Sequence, residues 1–274
     1  MEIKKKNQKG LTLIEMIIVI AIIALLAGLF TPLIFRNIDQ KRFDTTREKM
    51  KMIKQAIVGD PTHILYRQRT SFGYIGDMGI LPNALTDLIV QGTQPNYQQD
   101  GTSGLWWGWK GPYLETTQTT ISGNTKYVAL IDAWGNDIQY TKNLSGNPVV
   151  TLQSYGPDGA SGGGDDVFVY IFFQEAFSYL QGNSQDECGM GILFGAIRLY
   201  YPNGTTVTYA TATNSTGNFT YSLTTFPAGV RKLIADANNN GSFADSVDLN
   251  QFCVINNGPV NGINLRRKGT CAWP

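Results

Sequence analysis

The sequence is poor in the residues from which enzyme active sites are usually built. It has one His and three Cys among 274 residues. It shows no P-loop, HExxH, CxxC or Ser/His/Asp pattern of the kind that indicates catalysis. The single His63 lies close to Pro61, and a lone His is more often a surface or packing residue than a ligand. The sequence therefore predicts a protein that is not an enzyme.

Charged residues and cysteines are also scarce. Charged side chains make up 16% of the chain and the net charge is +1, which gives no reason to expect a nucleic-acid partner. The 30 glycines and many asparagines are typical of a loop-rich β protein outside the cytoplasm. In an oxidising compartment, three Cys predict one disulfide and one free thiol. Cys253 and Cys271 bracket a short terminal loop and are the preferred pair, which leaves Cys188 free.

The lack of charge is most pronounced near the N-terminus, where residues 11–35 contain a single charged side chain, Glu15. At ~1.5 Å of rise per residue, a helix of this length crosses a hydrocarbon core of ~30 Å. A carboxylate within such a run costs about 2.5–3.5 kcal/mol at the bilayer centre and calls for a cationic partner. Cleavage between Gly10 and Leu11 would place the α-amine of Leu11 one helical turn from Glu15. That amine could then serve the Glu15 of its own subunit or of a neighbour.

The N-terminal segment resembles the class III leader of type IV pilins and type II secretion pseudopilins. The resemblance rests on Lys9-Gly10, on Leu11-Thr12-Leu13-Ile14-Glu15 and on the apolar run that follows. It implies that a prepilin peptidase cleaves after Gly10 and that the new N-terminus, Leu11, is methylated. It also implies that Glu15 guides assembly into a helical filament. Phe is commoner in the family at the position of Leu11, and Pro32 falls where the family usually has a Pro.

A secretory signal peptide and an ordinary membrane anchor are the two simpler interpretations of the apolar run. A signal peptide has a shorter apolar region of ~7–15 residues and an A-x-A-like cleavage site, which is not evident here. An ordinary anchor accounts for the length but for neither Gly10 nor Glu15. Basic residues flank the run on both sides, so the leader motif sets the orientation. We expect a single-pass inner-membrane protein with residues 1–10 in the cytoplasm and a periplasmic or extracellular C-terminal part.

The predicted fold is α+β, with a pilin fold followed by a C-terminal β-sandwich-like domain. An apolar stripe at helical spacing extends the N-terminal helix to Asp60-Pro61. A short helix is predicted at 82–91, and antiparallel strands at 126–131, 138–142, 149–155 and 166–173. The predicted domains are a leader at 1–10, a transmembrane half-helix at 11–35, a pilin-like globular domain at 36–173, a linker at 174–189 and a β-sandwich-like domain at 190–274.

The C-terminal region alternates apolar segments with Asn-Gly and Pro-Ala-Gly turns, as in a sandwich of short strands. Residues 196–235 resemble carboxypeptidase-regulatory or transthyretin-like modules. Residues 236–241 resemble the start of an EF-hand loop, but Val247 stands at the twelfth position, where a Glu is expected. A tight Asn-Gly turn is the simpler interpretation of this segment.

A glycine-rich segment at 154–166 carries Asp158, Asp165 and Asp166. Ca²⁺ takes six to eight oxygen ligands, including backbone carbonyls. In pseudopilins a calcium ion sits in this loop, and the three Asp residues match its acidic positions. The alternative is a solvated acidic hairpin loop. Trp106, Trp107 and Trp109 form a second notable cluster, for which core packing or subunit contacts are more frequent than a sugar platform.

These features together predict a structural subunit of a type II secretion pseudopilus. The partners implied by the resemblance are the prepilin peptidase, copies of the same chain, other pseudopilins, inner-membrane assembly proteins and the membrane. One alternative is a type IV pilus subunit, major or minor. A second alternative, from another class, is a membrane-anchored ligand-binding protein that uses the tryptophan loop and the C-terminal domain.

Overall fold

The computed structural model describes residues 13–66, 68–186, 195–213, 220–236, 240–243, 249–255, 260–261 and 265–267. The chain divides into two compact units, Met1–Thr45 and Thr46–Pro274.

The first helix, α1, spans Leu13–Val58, which confirms the long N-terminal helix predicted from the sequence. Leu, Ile and Ala dominate its first half and favour the helix, and Glu15 lies in the first turn, where the helix dipole favours a negative charge. The helix ends before Gly59, whose N–H donates to the carbonyl of Gln55 (2.7 Å).

The two halves of α1 differ in the exposure of their apolar side chains. In the first half, Leu13, Ile20 and Leu25 are exposed, whereas in the second half Met50, Ile53 and Ile57 are fully buried. The predicted apolar stripe is therefore part of the core from Thr46 to Ile57, whereas Ile38 of the same stripe is 44% exposed. Across the described residues, no helix combines the length and the apolar character needed to cross a membrane.

Short elements follow α1. They are β1 (Ile64–Leu65), β2 (Gln68–Arg69), α2 (Gly73–Met78), a 3-10 helix (Leu85–Leu88), β3 (Gln98–Gln99) and β4 (Trp106–Trp107). The helix predicted at 82–91 is shortened to the 3-10 turn. Its start is fixed by Asp87, whose Oδ2 accepts from the backbone N–H groups of Asn83 (2.7 Å) and Ala84 (3.1 Å).

The pilin-like region continues with a hairpin and a three-stranded antiparallel sheet of order β7-β8-β9. The strands are β5 (Gln118–Ile121), β6 (Asn124–Tyr127), β7 (Gln139–Lys142), β8 (Val150–Ser154) and β9 (Val167–Ile171). Strands β7, β8 and β9 closely match the predicted strands at 138–142, 149–155 and 166–173.

The fourth predicted strand, 126–131, is wrong beyond Tyr127, because Val128–Leu130 forms a 3-10 turn. Lys49 of α1 donates from Nζ to the carbonyls of Val128 (3.1 Å) and Ile131 (3.0 Å). These carbonyls therefore point at a side chain of the helix rather than at a neighbouring strand.

Two further sheets form the C-terminal part. Their elements are α3 (Phe173–Ala176), β10 (Phe177–Asp186), β11 (Ala196–Pro202), β12 (Val207–Thr213), β13 (Thr220–Pro227), β14 (Gly229–Ala235), β15 (Leu249–Ile255), β16 (Val260–Asn261) and β17 (Leu265–Arg267). One sheet has the order β12-β11-β14-β15, and in the other β10 pairs with β13, β16 and β17. Side chains of both sheets share one apolar core, including Leu180, Leu199, Phe226 and Leu233.

The predicted linker at 174–189 is incorrect over its described part. Residues 173–176 are helical, and β10 pairs with β13 from Phe177↔Pro227 to Asn183↔Thr220. Burial alternates along β10 as in a strand, with Ser178, Leu180 and Ser184 inside. Small polar residues at the buried positions concealed this period of two in the sequence. Residues 187–189 lie outside the described residues.

Candidate functional sites

The predicted processing and assembly site lies at the N-terminus. Glu15 is exposed in the first turn of α1. Gly10 and Leu11 lie outside the described residues, so the prediction of cleavage between them stays a prediction.

The loop between β8 and β9 places the carboxylates of two of the three predicted calcium ligands, Asp158 and Asp165, near Gly163. A Cβ built on Gly163 would lie 2.7 Å from Asp165 Oδ1 and 3.8 Å from Asp158 Oδ2. Gly163 has φ of +93°, a conformation that side-chain-bearing residues rarely adopt. The loop thus needs glycine at this position both for its backbone and to leave room for the carboxylates.

Asp166 lies at the end of the same loop. Its Oδ2 accepts from Gln153 Nε2 (2.9 Å) and from the backbone N–H of Gly162 (2.9 Å). Its Oδ1 is buried and has no hydrogen-bond donor among the described residues. A buried carboxylate oxygen without a donor is costly, and a cation would satisfy it.

The loop is fixed to a neighbouring turn by a buried carboxylate, Asp132. Asp132 Oδ2 accepts from Ser154 Oγ (2.8 Å), and Oδ1 accepts from the N–H groups of Trp134 and Asn136 (2.9 Å each). Asn136 in turn donates from Nδ2 to the carbonyl of Gly156 (3.1 Å). Within the described residues, no group of three or more Asp, Glu, His or Cys side chains has the arrangement of a metal site. Any cation here would therefore rely on backbone carbonyls as well as on Asp side chains.

The segment that resembles an EF-hand is only partly described. The Asp236 carboxylate accepts from the N–H groups of Asn240 (3.2 Å) and Gly241 (2.8 Å), which closes a tight turn. Residues 237–239 and 244–248 lie outside the described residues.

The cysteines predicted to pair are also only partly described. Cys253 of β15 is buried and forms no disulfide with any cysteine among the described residues, and burial raises the pKa of its thiol to about 12. Cys188 and Cys271 lie outside the described residues, so the predicted disulfide between Cys253 and Cys271 stays a prediction.

The C-terminal part is joined to the pilin-like region by a fully buried arginine, Arg231 of β14. Its guanidinium donates to the nearby carbonyls of Pro227, Ala228 and Val230. It also donates to the carbonyls of Ile75 and Gly76 in α2. Desolvation lowers the pKa of Arg231, and the nearby Asp77 opposes this shift. No sequence pattern indicated this role, because an Arg within an apolar strand pattern is normally placed on the solvent side.

An open groove of about 710 Å³ lies beside this junction. We call it the junction groove, and the residues that matter most to it are Asp77, Tyr97, Trp106, Lys110, Val230 and Phe252. Tyr97 and Trp106 are stacked, with ring centroids 5.5 Å apart and an interplanar angle of 22°. Lys110 Nζ lies 5.5 Å from the centre of the Tyr97 ring. The groove therefore combines exposed aromatic rings with the carboxylate of Asp77, the ammonium group of Lys110 and the imidazole of His63.

The three tryptophans of the predicted cluster have different environments. Trp106 is 54% exposed, whereas Trp107 is 5% exposed. Trp109 is partly buried and donates from Nε1 to the carbonyl of Asp87 (2.9 Å). Packing thus accounts for Trp107 and Trp109, and only Trp106 presents a ring to the groove.

The polar side of the junction groove centres on Asp77. Tyr113 donates its hydroxyl to Asp77 Oδ2 (3.0 Å). Burial raises the pKa of Asp77, while Tyr113, Lys110 and Arg231 act in the opposite direction. Neither Asp77 nor Phe252 was a candidate from the sequence, because they are 175 positions apart in the chain. Only the fold brings them to one groove.

Comparisons with known proteins agree with the N-terminal resemblance. The family described as "Prokaryotic N-terminal methylation motif" matches residues 5–31. The chain is 27% identical over 164 residues to type II secretion system core protein G of Pseudomonas aeruginosa, covering 60% of this chain and 93% of that protein. It is 28% identical over 159 residues to the same protein of Xanthomonas campestris pv. campestris, covering 58% and 85% respectively. These matches support a similarity of the chain to the type IV pilin-like family that includes the type II secretion pseudopilins.

A solved structure of BcpA*(D312A), the major pilin subunit of Bacillus cereus, matches 43% of this pilin-like chain. The match spans 37% of that chain, with 12% identity and a TM-score of 0.26. So loose a superposition carries no argument about fold or function.

Proposed function

We propose that this pilin-like chain is a structural subunit of a type II secretion pseudopilus. The observation that carries the proposal is a methylation motif at residues 5–31 in a chain that resembles core protein G over 60% of its length. In this proposal residues 11–35 anchor the subunit in the inner membrane, and the rest of the chain lies outside the cytoplasm. Its partners are copies of itself, other pseudopilins and the inner-membrane assembly proteins.

Processing creates the group that makes assembly specific. A prepilin peptidase cleaves after Gly10 and methylates Leu11, which leaves a cationic amine at the start of an apolar helix. Glu15, in the first turn of α1, then pairs with that amine in its own subunit or in a neighbour. Such a pair is favourable because both charges lie in a medium of low dielectric constant.

The test of this proposal is a complementation experiment. A strain that lacks its core pseudopilin is supplied with this chain, with Gly10→Val, or with Glu15→Leu. The original chain should be processed to begin at Leu11 and should restore secretion. Gly10→Val should remain unprocessed, and Glu15→Leu should be processed but fail to enter filaments. Secretion restored by both variants would overturn the proposal.

The alternative within the family is a type IV pilus subunit, because the methylation motif is shared with pilins. A second strain, which lacks its major pilin, distinguishes the two. A pilus subunit would restore surface fibres in that strain and leave secretion defective in the first strain.

We also propose that calcium organises the loop at 154–166. The support is the placement of Asp158 and Asp165 around Gly163 and the buried Asp166 Oδ1 without a donor among the described residues. The three carboxylates and nearby backbone carbonyls would supply hard oxygen ligands for the ion. The bound ion would offset repulsion between Asp165 and Asp166.

Calcium binding should appear as a difference in thermal stability. An ion that binds only the folded state stabilises it by about 2.7 kcal/mol at a hundredfold excess over its Kd. The whole chain should therefore melt higher in calcium than in chelator, and Asp165→Ala with Asp166→Ala should remove the difference. The control Asp100→Ala, in another loop, should keep the difference in melting temperature between calcium and chelator. A calcium shift that survives the double substitution would place the ion elsewhere, with residues 236–248 the first place to look.

A further inference from the structure

The junction groove exposes aromatic rings that are normally covered in a soluble protein. Trp106 is 54% and Phe252 is 51% exposed, and they come from the pilin-like region and from β15 of the C-terminal sheet. Val230 of β14, 44% exposed, adds a third apolar contact. Exposed apolar side chains grouped in one concave site are typical of ligand binding.

Trp106 is held as a rigid platform. The ring of Tyr97 stacks on it at 5.5 Å, and Lys110 lies over Tyr97, so these side chains fix each other. Because Tyr97 covers one face of the Trp106 ring, the solvent-exposed parts of Trp106 are its other face and its edge. A flat apolar face of this kind suits the CH-rich face of a sugar ring.

The polar groups of the groove favour an uncharged ligand with many hydroxyls. Asp77 offers a carboxylate acceptor and Lys110 an ammonium donor, so the two formal charges offset each other. An anionic ligand would be attracted by Lys110 but repelled by Asp77. A cationic ligand would be attracted by Asp77 but repelled by Lys110. A hydroxyl group can donate to Asp77 and accept from Lys110, and hydrogen bonds to charged groups are the stronger ones.

The dimensions of the groove agree with a short chain of sugars rather than a single ring. Its volume of about 710 Å³ lies within the range of about 300–1,000 Å³ for small-molecule sites. The groove is open to solvent, so a ligand need not be enclosed completely.

We infer that the junction groove binds a neutral oligosaccharide, with Trp106 as the stacking platform and with Asp77 and Lys110 as the hydrogen-bonding groups. This inference is independent of the proposed filament role. It gives the added C-terminal sheet a function, because β14 and β15 supply one wall of the site. Without that sheet the groove would lose the apolar side chains of Val230 and Phe252.

The experiment is calorimetric titration of the whole chain in detergent with maltotriose, cellotriose, xylotriose and chitotriose. We expect at least one of these trisaccharides to bind with a Kd below about 10 mM. Trp106→Ala and Phe252→Ala should each weaken binding about tenfold, since each removes a stacking or packing surface from an opposite wall. Asp77→Asn should weaken binding less than Trp106→Ala, since an amide still accepts from a hydroxyl.

The matched control is Phe168→Ala. Phe168 is 41% exposed on β9, outside the junction groove, and its removal should leave binding unchanged. Circular dichroism on each variant separates loss of binding from loss of fold. Absence of binding for all four trisaccharides would overturn the inference. So would binding that is unaffected by both Trp106→Ala and Phe252→Ala, or tighter binding of a charged trisaccharide such as trigalacturonic acid.

Discussion

At the scale of single residues, Arg231 is a buried cation held by backbone rather than by a carboxylate. Its guanidinium donates to carbonyls of Ile75, Gly76, Pro227, Ala228 and Val230. Hydrogen bonds of a charged donor are stronger than neutral ones, but the burial of the charge offsets much of this gain. The net contribution of Arg231 is therefore best measured by removing it.

Arg231→Met should lower the free energy of unfolding by at least about 1–3 kcal/mol, the usual cost of leaving a buried hydrogen-bonding group without its partner. Methionine fills the space but removes the guanidinium donor from five carbonyls, of which at least that of Ile75 keeps another donor, the N–H of Gly79. Urea denaturation followed by circular dichroism measures the change. The control Lys126→Met removes a partly exposed ion pair with Asp137 (2.9 Å) and should cost at most about 1 kcal/mol. Equal effects of the two substitutions would refute the role assigned to Arg231.

Cys253 provides a second prediction at this scale. Because its thiol is buried and its pKa is raised to about 12, almost no thiolate forms at pH 8. Cys253 should therefore resist N-ethylmaleimide in the native protein and react after unfolding in urea without any reductant. Peptide mass spectrometry locates the label. A requirement for reductant would instead favour the disulfide with Cys271 predicted from the sequence.

Buried tyrosines should make the protein sensitive to alkaline pH. Burial raises the pKa of Tyr74, Tyr113 and Tyr140 above the ordinary value of a phenol. An acid whose pKa is raised on folding contributes stability that is full below its unfolded pKa and is lost as pH rises. Stability measured in urea should therefore hold up to about pH 10 and fall above it. Stability that is flat or rising from pH 10 to 12 would contradict these shifts.

At the scale of elements, the end of α2 shows how closely the C-terminal sheet approaches the pilin-like region. Gly79 has φ of +75° and follows α2, with its N–H donating to the carbonyl of Ile75 (2.9 Å). A Cβ on Gly79 would overlap the carbonyl group of Pro202, at the end of β11. The contact between α2 and β11 thus depends on the absence of a side chain.

Gly79→Ala should consequently destabilise the protein by more than the energetic cost of placing Ala in this backbone conformation. An Ala in the left-handed region costs about 1–2 kcal/mol. Gly92 is the matched control, since it has φ of +57° and a Cβ added there would meet nothing within 4 Å. Chemical denaturation of the two variants should show a clearly larger loss for Gly79→Ala. Equal losses would mean that Pro202 and β11 move aside at little cost.

Elements with a regular pattern were predictable, and elements fixed by distant contacts were not. The apolar stripe of Met50, Ile53 and Ile57 indicated the long helix, and the β8 strand followed from its alternation. The sequence pattern of residues 126–131 predicted a strand, but Lys49 of α1 donates to the carbonyls of Val128 and Ile131. The strand β10 was hidden because Ser178 and Ser184 occupy its buried positions.

The same distinction applies to the candidate sites. Loop glycines and aspartates lie close in sequence, so their proximity at 154–166 was predictable. The junction groove combines Asp77 with Phe252, and no local pattern can connect residues that meet only through the packing of two sheets and a helix.

At the scale of the whole molecule, residues from 46 to the C-terminus form one compact unit rather than a pilin domain and a tethered module. Thr46–Pro274 is compact as a whole, and Met1–Thr45 forms the other unit. Arg231 donates to α2, and Pro202 contacts Gly79, so the C-terminal sheets are part of what stabilises the pilin-like region. Separation of the chain at the predicted linker would break these contacts.

A fragment of residues 46–173 should accordingly be much less stable than a fragment of residues 46–274. Its α2 would lose the guanidinium of Arg231, which donates to the carbonyls of Ile75 and Gly76. Gly79, at the end of α2, would lose its contact with Pro202 of β11. Exposure of apolar side chains costs about 25 cal/mol per Å² of apolar surface, so even a modest uncovered area removes several kcal/mol from a marginally stable protein. Calorimetry and binding of a hydrophobic dye would measure both effects. The comparison with the 46–274 fragment controls for the loss of Met1–Thr45, which both fragments lack. Equal melting temperatures for the two fragments would show that the pilin-like region folds alone, and that the contacts of Arg231 and Gly79 add little to its stability.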